Sequence, residues 1–321
     1  MSPPFTISNK IINLVSQIVR ELGKIEACQL GTPDPQLRKQ NRIKTIQATL
    51  SIEGNTLSLD QMTAVLEGKK VLGPQKEIVE VQNAIKLYDR IQSFKPFAVK
   101  DFLKAHKLLM ASLVASAGSF RSKNVGDLKG SKVSHVAPKP SLVPELIEKL
   151  FNWAKSEKEL HPLIKSCIFH YEIEFIHPFE DGNGRMGRFW QSVLLSKFES
   201  IFLYIPIESL IKENQKKYYQ VLERSDKLGE SAIFIEFILD LVLNSLKEFS
   251  VGIKGVTLDS FGRLKQARNH FEDNLFSRKE YMTFFKNISS STASRDLKVG
   301  GDRKILEKSG LRNQTKYKFN E

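Results

Sequence analysis

The residues best equipped for chemistry lie in one run, His177-Pro-Phe-Glu-Asp-Gly-Asn-Gly-Arg-Met-Gly-Arg188. The apolar stripe Met186, Phe189, Trp190, Val193 and Leu194 starts inside this run and predicts an amphipathic helix. A second stripe, Ile164, Cys167, Ile168, Tyr171 and Phe175, predicts a helix that ends before Pro178. The loop Asp181–Gly184 is then the entry to a helix, where unpaired backbone N–H groups and a partial positive charge suit phosphate. Gly182 and Gly184 let the backbone approach a ligand with no side chain in the way. Arg185 and Arg188, at i and i+3, share one helix face off the apolar stripe. Asp181 is a lone carboxylate beside the phosphate site, which suits Mg2+. His177 has the right intrinsic basicity for a general base. The set points to phosphoryl or nucleotidyl transfer and leaves open which phosphorus is attacked.

Two other readings compete. Gly182, Gly184 and Gly187 fit the spacing GxGxxG, but a dinucleotide site needs a strand directly before the glycines. Here His177–Glu180 precede them, and Glu199 comes before, not after, the strand-like run Ile201–Ile207. A plain polar turn between two helices would not need a His, an Asp, an Asn and two Arg together. No GxxxxGK(S/T) is present, which argues against a P-loop enzyme. His161, His170 and His177 lack metal-ligand spacing, and His106 and His270 carry no pattern of their own.

The elements that must position these residues are mostly helical. Ile43, Ile46, Leu50 and Glu53 fall on one helical face, so Glu53 extends an apolar stripe and should be buried; Gly54 ends that helix. A buried carboxylate at the negative end of a helix needs a cation. Asn124–Pro140, with its Gly, Pro and alternating runs, predicts a β-hairpin, and helix resumes over Val143–Lys155. A composition shift at Val251–Thr257 marks a boundary. Beyond it, Arg278–Phe285 predicts a short helix, Ser289–Lys298 a capped helix, and Ile305–Phe319 two strands around a Gly-containing loop. That order of elements is the layout of a winged helix.

Of the 321 residues, 41% are hydrophobic and 26% charged, an ordinary globular mixture that excludes disorder and fibrous architectures. Lys and Arg number 49 against 36 Asp and Glu, and the +13 excess points to a polyanionic partner. The excess is densest after residue 250, with 15 basic against 8 acidic residues. Cys28 and Cys167 make no disulfide framework, so a reducing compartment is expected. The N-terminus lacks a signal-peptide pattern, and Phe234–Leu243 is too short to span a bilayer, so a soluble cytoplasmic protein with no membrane partner is expected.

HPFEDGNGRMGR resembles the Fic-family signature, His-x-Phe-x-(Asp/Glu)-Gly-Asn-(Gly/Lys)-Arg-x-x-Arg, at every defined position. The likeness extends over roughly residues 38–246. It implies a mainly α fold, a helical core with a β-hairpin flap, and transfer of AMP from ATP to a Ser, Thr or Tyr hydroxyl of a target protein. By the resemblance, His177 deprotonates the target hydroxyl and Asp181 holds Mg2+. Gly182, Asn183 and Gly184 line the anion hole, Arg185 holds the outer phosphates, Arg188 meets the γ-phosphate, and Phe179 is buried and fixes the loop. Thr49-Leu-Ser-Ile-Glu53-Gly54 resembles the family's inhibitory motif, which implies that Glu53 pairs with Arg188 and takes the room of the γ-phosphate. The hairpin at 124–140 corresponds to the flap that docks the target strand, with Lys132, Val133, Ser134 and His135 at its tip and on the upper wall of the nucleotide site. Tyr218 and Tyr219 sit where the family often has a Tyr-Tyr pair near adenine, and Asp226 stands where some relatives carry Asn. The resemblance divides the chain into an N-terminal helical region carrying the inhibitory motif (1–95), a catalytic core (96–250) and a C-terminal winged helix (258–321). Arg295 and Lys298 would lie on its recognition helix, Arg312 and Lys316 on its wing. The same fold admits removal of AMP with Glu53 positioning water, and a DNA-binding regulator that only senses ATP. The target protein, the chain itself as target, a second copy and DNA are the partners left open.

Overall fold

The computed structural model describes residues 2–27, 35–124, 126–129, 132–254, 260–285, 288–310 and 315–320; for 27, 126–129, 132–136 and 251–254 it describes the backbone alone. The chain divides into two compact units, Met1–Lys24 with Thr32–Phe249, and Ile25–Gly31 with Ser250–Glu321. The larger is built from helices Asn9–Ala27 (α1), Pro35–Ile52 (α2), Leu59–Leu66 (α3), Gln75–Tyr88 (α4) and Val99–Leu109 (α5). A hairpin, Gly126–Lys129 (β1) and Lys132–Val136 (β2), follows. Then come Val143–Ser156 (α6), Pro162–Ile176 (α7), Asn183–Phe198 (α8), Ile207–Glu213 (α9), Gln215–Leu228 (α10) and Ala232–Lys254 (α11), the last residues of α1 and α11, from Ile25 and Ser250 on, falling in the smaller unit.

Helices α7 and α8 pack as a helical hairpin at the centre. Both were expected to be amphipathic, but they are buried on nearly every side: on α8 the polar Asn183, Arg185, Arg188 and Gln191 are as enclosed as Met186, Phe189 and Trp190. Polar groups so placed must find partners inside the protein. The apolar side of α8 enters an aromatic cluster in which Trp190 lies edge-on to Phe102 at 5.1 Å and Phe151 edge-on to Phe169 at 5.0 Å. The strand-like run after Glu199 is instead a 3-10 turn, Ser200–Tyr204, leading into α9.

Gly54, at φ +93°, terminates α2 in a Schellman arrangement: Asn55 N–H donates to Leu50 C=O at 3.1 Å and Gly54 N–H to Ser51 C=O at 3.1 Å. Glu53 is therefore the last residue before the reversal. The hairpin is antiparallel, pairing Gly126 with Val136 and Lys129 with Lys132, with a bulge between Asp127 and Leu128.

In the smaller unit, Ser260–Phe271 (α12), Phe276–Ser277 (β3), Arg278–Phe284 (α13), Ser290–Asp302 (α14), Leu306–Ser309 (β4) and Lys316–Phe319 (β5) enclose a core of Leu264, Phe276, Tyr281, Leu297, Leu306 and Phe319. Its antiparallel sheet has the order β3-β5-β4. Ser277 caps α13 in a reciprocal box with Glu280, and Ser289 caps α14 through Thr292 N–H at 3.1 Å. Asp296 on α14 is fully buried and accepts a two-point bond from Arg263 of α12, at 2.5 and 2.8 Å. None of the described helices is long and apolar enough to cross a membrane.

Candidate active site

His177 is the C-cap of α7 and adopts the left-handed conformation, φ +50° and ψ +61°. That conformation is disfavoured by roughly 1–2 kcal/mol for a residue with a Cβ, so it needs support from its surroundings. Arg121, 4% exposed, supplies it: Nε donates to His177 C=O at 2.7 Å, and its own backbone N–H donates to Pro178 C=O at 3.0 Å. Nothing in the sequence marked Arg121.

The turn that follows is fixed from within. Phe179 is fully buried and stacks on His106 with centroids 3.6 Å apart. The Asn183 side chain spans the turn, accepting from Phe179 N–H at 2.8 Å and donating to Phe179 C=O at 2.9 Å. Its amide is thus engaged by the loop through its oxygen and one of its two N–H donors. Gly182 caps α8 at φ +88°, where a Cβ would also lie 2.9 Å from Met110 Sδ. The first N–H groups of α8, Asn183 to Arg185, have no intrahelical acceptor by helix geometry and point out of the turn.

His106, which carries no pattern of its own in the sequence, holds this loop. Its Nδ1 accepts from Gly118 N–H at 2.9 Å, so its Nε2 must carry the proton given to Asp181 C=O at 3.0 Å. Burial pushes its pKa down from 6.5 to about 4, against the opposing pull of the Asp181 carbonyl. A base whose folded-state pKa is depressed stabilises the fold fully above its unfolded pKa and loses that contribution as pH falls. The unfolding free energy from urea titrations should therefore decline between pH 6.5 and about 4, by roughly 3 kcal/mol in total. In His106→Gln this segment of the pH slope should flatten.

Asp181, with its side chain 44% exposed, accepts from Gly182 N–H at 2.6 Å and from Arg185 Nη2 at 2.8 Å. Arg185 is 4% exposed and reaches Glu80 of α4 at 3.4 Å through Nη1, while its Nε has no partner. No cluster of three metal-binding side chains occurs among the described residues. A half-exposed carboxylate beside a helix N-terminus fits Mg2+ carried in on phosphate oxygens, which needs only one or two protein carboxylates.

Arg188 is the centre of the deepest constellation. It is 2% exposed. Nε donates to Thr49 Oγ1 at 2.9 Å, and Nη2 to Thr49 C=O at 3.1 Å and Glu53 Oε1 at 2.6 Å. Nη1 is buried without a partner. Burial works against the cation, but Glu53, Tyr218 and Glu174 outweigh it and raise its pKa further. Glu53 reaches its cation without being buried: 31% of its side chain stays exposed, because the α2 terminus lies at the rim. A Cβ on Gly184 would stand 2.5 Å from Glu53 Oε1 and 3.1 Å from Arg188 Nη1, so only glycine admits this approach.

Tyr218, which the resemblance puts near adenine, packs in the core. It is 1% exposed, and its hydroxyl donates to Glu174 at 3.0 Å and meets His170 Nε2 at 3.0 Å, behind Arg188. Tyr219 is half-buried, with its hydroxyl 3.5 Å from Ile52 C=O at the end of α2. Asp226 accepts from Tyr171 at 2.9 Å. Lys132, Val133, Ser134 and His135 form most of β2; only Lys132 adjoins the hairpin tip, since His135 pairs with Asp127 farther down, and their side chains lie outside the described residues.

The α8 entry thus gathers a half-exposed carboxylate, Asp181, and a buried arginine, Arg188, that is paired with the helix-borne Glu53. The Fic/DOC family profile matches residues 96–195. A Fic family protein from Desulfovibrio desulfuricans G20 is 36% identical, with a TM-score of 0.74 over 100% of this chain and 98% of that one. The chain belongs to the Fic family. Fic-1 of C. elegans shares the fold, at a TM-score of 0.60 and 20% identity over 77% of this chain and 73% of that one. Protein adenylyltransferase Fic of Drosophila ananassae is 28% identical over 218 residues, 65% of this chain and 42% of that protein. Its namesake in Culex quinquefasciatus is 28% identical over 266 residues, 78% and 51% respectively. The chain thus spans about half the length, or less, of these two adenylyltransferases.

Proposed function

We propose that this chain is an autoinhibited protein adenylyltransferase. The observation that carries the reading is the buried Arg188, bound by Glu53 and Thr49 with Nη1 left over beside Gly184 at the α8 entry. The names of the relatives support AMP as the group moved. A target hydroxyl oxygen attacks the α-phosphorus of ATP, the bond to the bridging β-oxygen breaks, and pyrophosphate leaves. His177 takes the hydroxyl proton. The α8 N–H groups face the phosphate oxygens, and Arg185 and Arg188 hold the outer phosphates. Mg2+, when bound, neutralises phosphate charge, and Asp181 is the residue that would hold it.

The test is incubation of wild type and Glu53→Gly with α- and γ-labelled ATP, followed by intact mass. Gain of one AMP with the α label alone supports the reading, and retention of the γ label would mean a kinase. A second reading, removal of AMP, is favoured by the exposed third of Glu53, which leaves the carboxylate able to meet water. It predicts that AMP-modified protein loses its label faster with wild type than with Glu53→Gly.

The smaller unit has three helices and a β3-β5-β4 sheet in winged-helix order, and we read it as that module. Arg295 and Lys298 are exposed on α14, Lys316 on β5 pairs with Glu280 at 3.2 Å, and Arg312 lies outside the described residues. If α14 meets DNA, retention on a DNA column should fall steeply between 50 and 200 mM salt, as about three phosphate contacts require. Arg295→Ala with Lys298→Ala should abolish that retention; none by the intact chain removes the reading.

A further inference from the structure

The Arg121 guanidinium binds four backbone carbonyls from three segments. Besides His177 at 2.7 Å, it donates to Ile176 at 3.4 Å, to Lys123 at 3.0 Å and to Pro138 at 2.5 Å. Lys123 lies just before β1 and Pro138 just after β2, so one side chain ties both feet of the hairpin to the end of α7. Among the described residues it has no carboxylate partner, and burial pulls its pKa down. A buried cation held only by neutral carbonyls is an expensive way to stabilise a loop, since apolar packing would do so at lower cost. What the guanidinium offers is a rigid planar fork that reaches several acceptors in fixed directions, which an ammonium cannot match.

We propose that Arg121 is a positioning residue that couples the hairpin to His177. A strand docking along the hairpin and the base at the end of α7 then share one rigid support, so a shift at the feet is passed to the left-handed turn that aims the imidazole. The inference rests on the transfer reading for its catalytic consequence, but not for its structural one.

The experiment uses the full chain carrying Arg121→Lys, which keeps the charge and removes the fork, in both wild-type and Glu53→Gly backgrounds. The first readout needs no chemistry. The His177 imidazole resonances should move and amide exchange across 122–140 should accelerate on the order of ten-fold, while His270 in the other unit stays unchanged. In the Glu53→Gly background, kcat should fall on the order of 100-fold, with KM for ATP changed by no more than about two-fold. KM for the target should rise. If Glu53→Gly itself transfers nothing, the transfer reading falls and the resonance and exchange data still decide the coupling. Unmoved His177 resonances in a folded Arg121→Lys protein, or kcat equal to that of the parent, overturn it. A variant that unfolds is replaced by Arg121→Gln, which keeps two of the donors and is held to the same readouts.

Discussion

Glu53→Gly should raise α-label incorporation by roughly 10- to 100-fold over wild type, which corresponds to about 1.4–2.8 kcal/mol held in the closed pairing. The upper limit is set by exposure. The Arg188–Glu53 contact is short, at 2.6 Å, but nearly a third of the Glu53 side chain meets water, so solvent screens part of the attraction. Little else is lost with the carboxylate. Glu53 occupies the C-cap of α2, where the helix dipole disfavours an acid by about 0.3–1 kcal/mol. The α2 terminus has its own supports: Lys212 donates to Ser51 C=O at 2.9 Å and Gln215 to Ile52 C=O at 2.9 Å. The unfolding midpoint should therefore hardly move while activity climbs. Glu53→Gln should give an intermediate gain, because an amide still fills the space beside Gly184 but brings no charge to Arg188. Thr49→Val removes the Nε acceptor and a hydrogen bond to Tyr88 but leaves the Glu53 pairing in place, and should gain least. Measured by label incorporation at saturating ATP, equal rates for wild type and Glu53→Gly would show that the ion pair does not limit transfer.

The loop and its opposing glutamate were legible because their signals are local. Gly54 after the Ile43–Leu50 stripe locates the end of α2, and the Met186 stripe locates α8, by rules that need only a few residues of context. The long apolar stripes said nothing about the other faces of α7 and α8. Those faces are polar and buried because α2, α4 and α10 bring Thr49, Glu80 and Tyr218 to them, and such pairings exist only once the chain is folded. The same reason hid His106 and Arg121, whose partners are mostly backbone atoms of distant residues and leave no pattern of residue types. The burial of Tyr218 was not legible either, because its position in a helix does not say whether its face lines a cavity or the core. The run Ile201–Ile207 is apolar without a period, and such a run does not by itself separate strand from tight helical turn. In the smaller unit, β3 is two residues long and merges with the cap of α13, too short to show an alternation. Helix α12 has a weak stripe, Leu264 and Ala267, and its strongest tie is Arg263 to Asp296, again a folded-state pairing.

Arg188→Met should be the most destabilising single change in the site, lowering stability by about 3–5 kcal/mol as well as removing transfer. The cost comes from the carboxylates left behind. Glu174 is largely buried, which alone would raise its pKa, but His170, Arg188 and His177 together hold it below the usual carboxylate range. Glu208, 3% exposed, is raised by burial, and Arg188 offsets part of that rise. Without the cation both carboxyl groups shift upward. A carboxyl whose folded-state pKa lies above its unfolded value favours the fold when protonated, and that advantage is lost as pH rises through the folded pKa. The deficit of Arg188→Met against wild type should therefore be largest near pH 7 and shrink toward pH 5, read as the difference in urea midpoint at each pH. Second-site changes should separate the carboxylates. Glu174→Gln, at a side chain only 13% exposed, should recover more of the lost stability than Glu53→Gln, because Glu53 is 31% exposed and can turn to water when its partner is gone. The reverse order would mean that Arg188 is held chiefly for the inhibitory contact and that the layer behind it, Glu174 with Tyr218 and His170, neutralises itself.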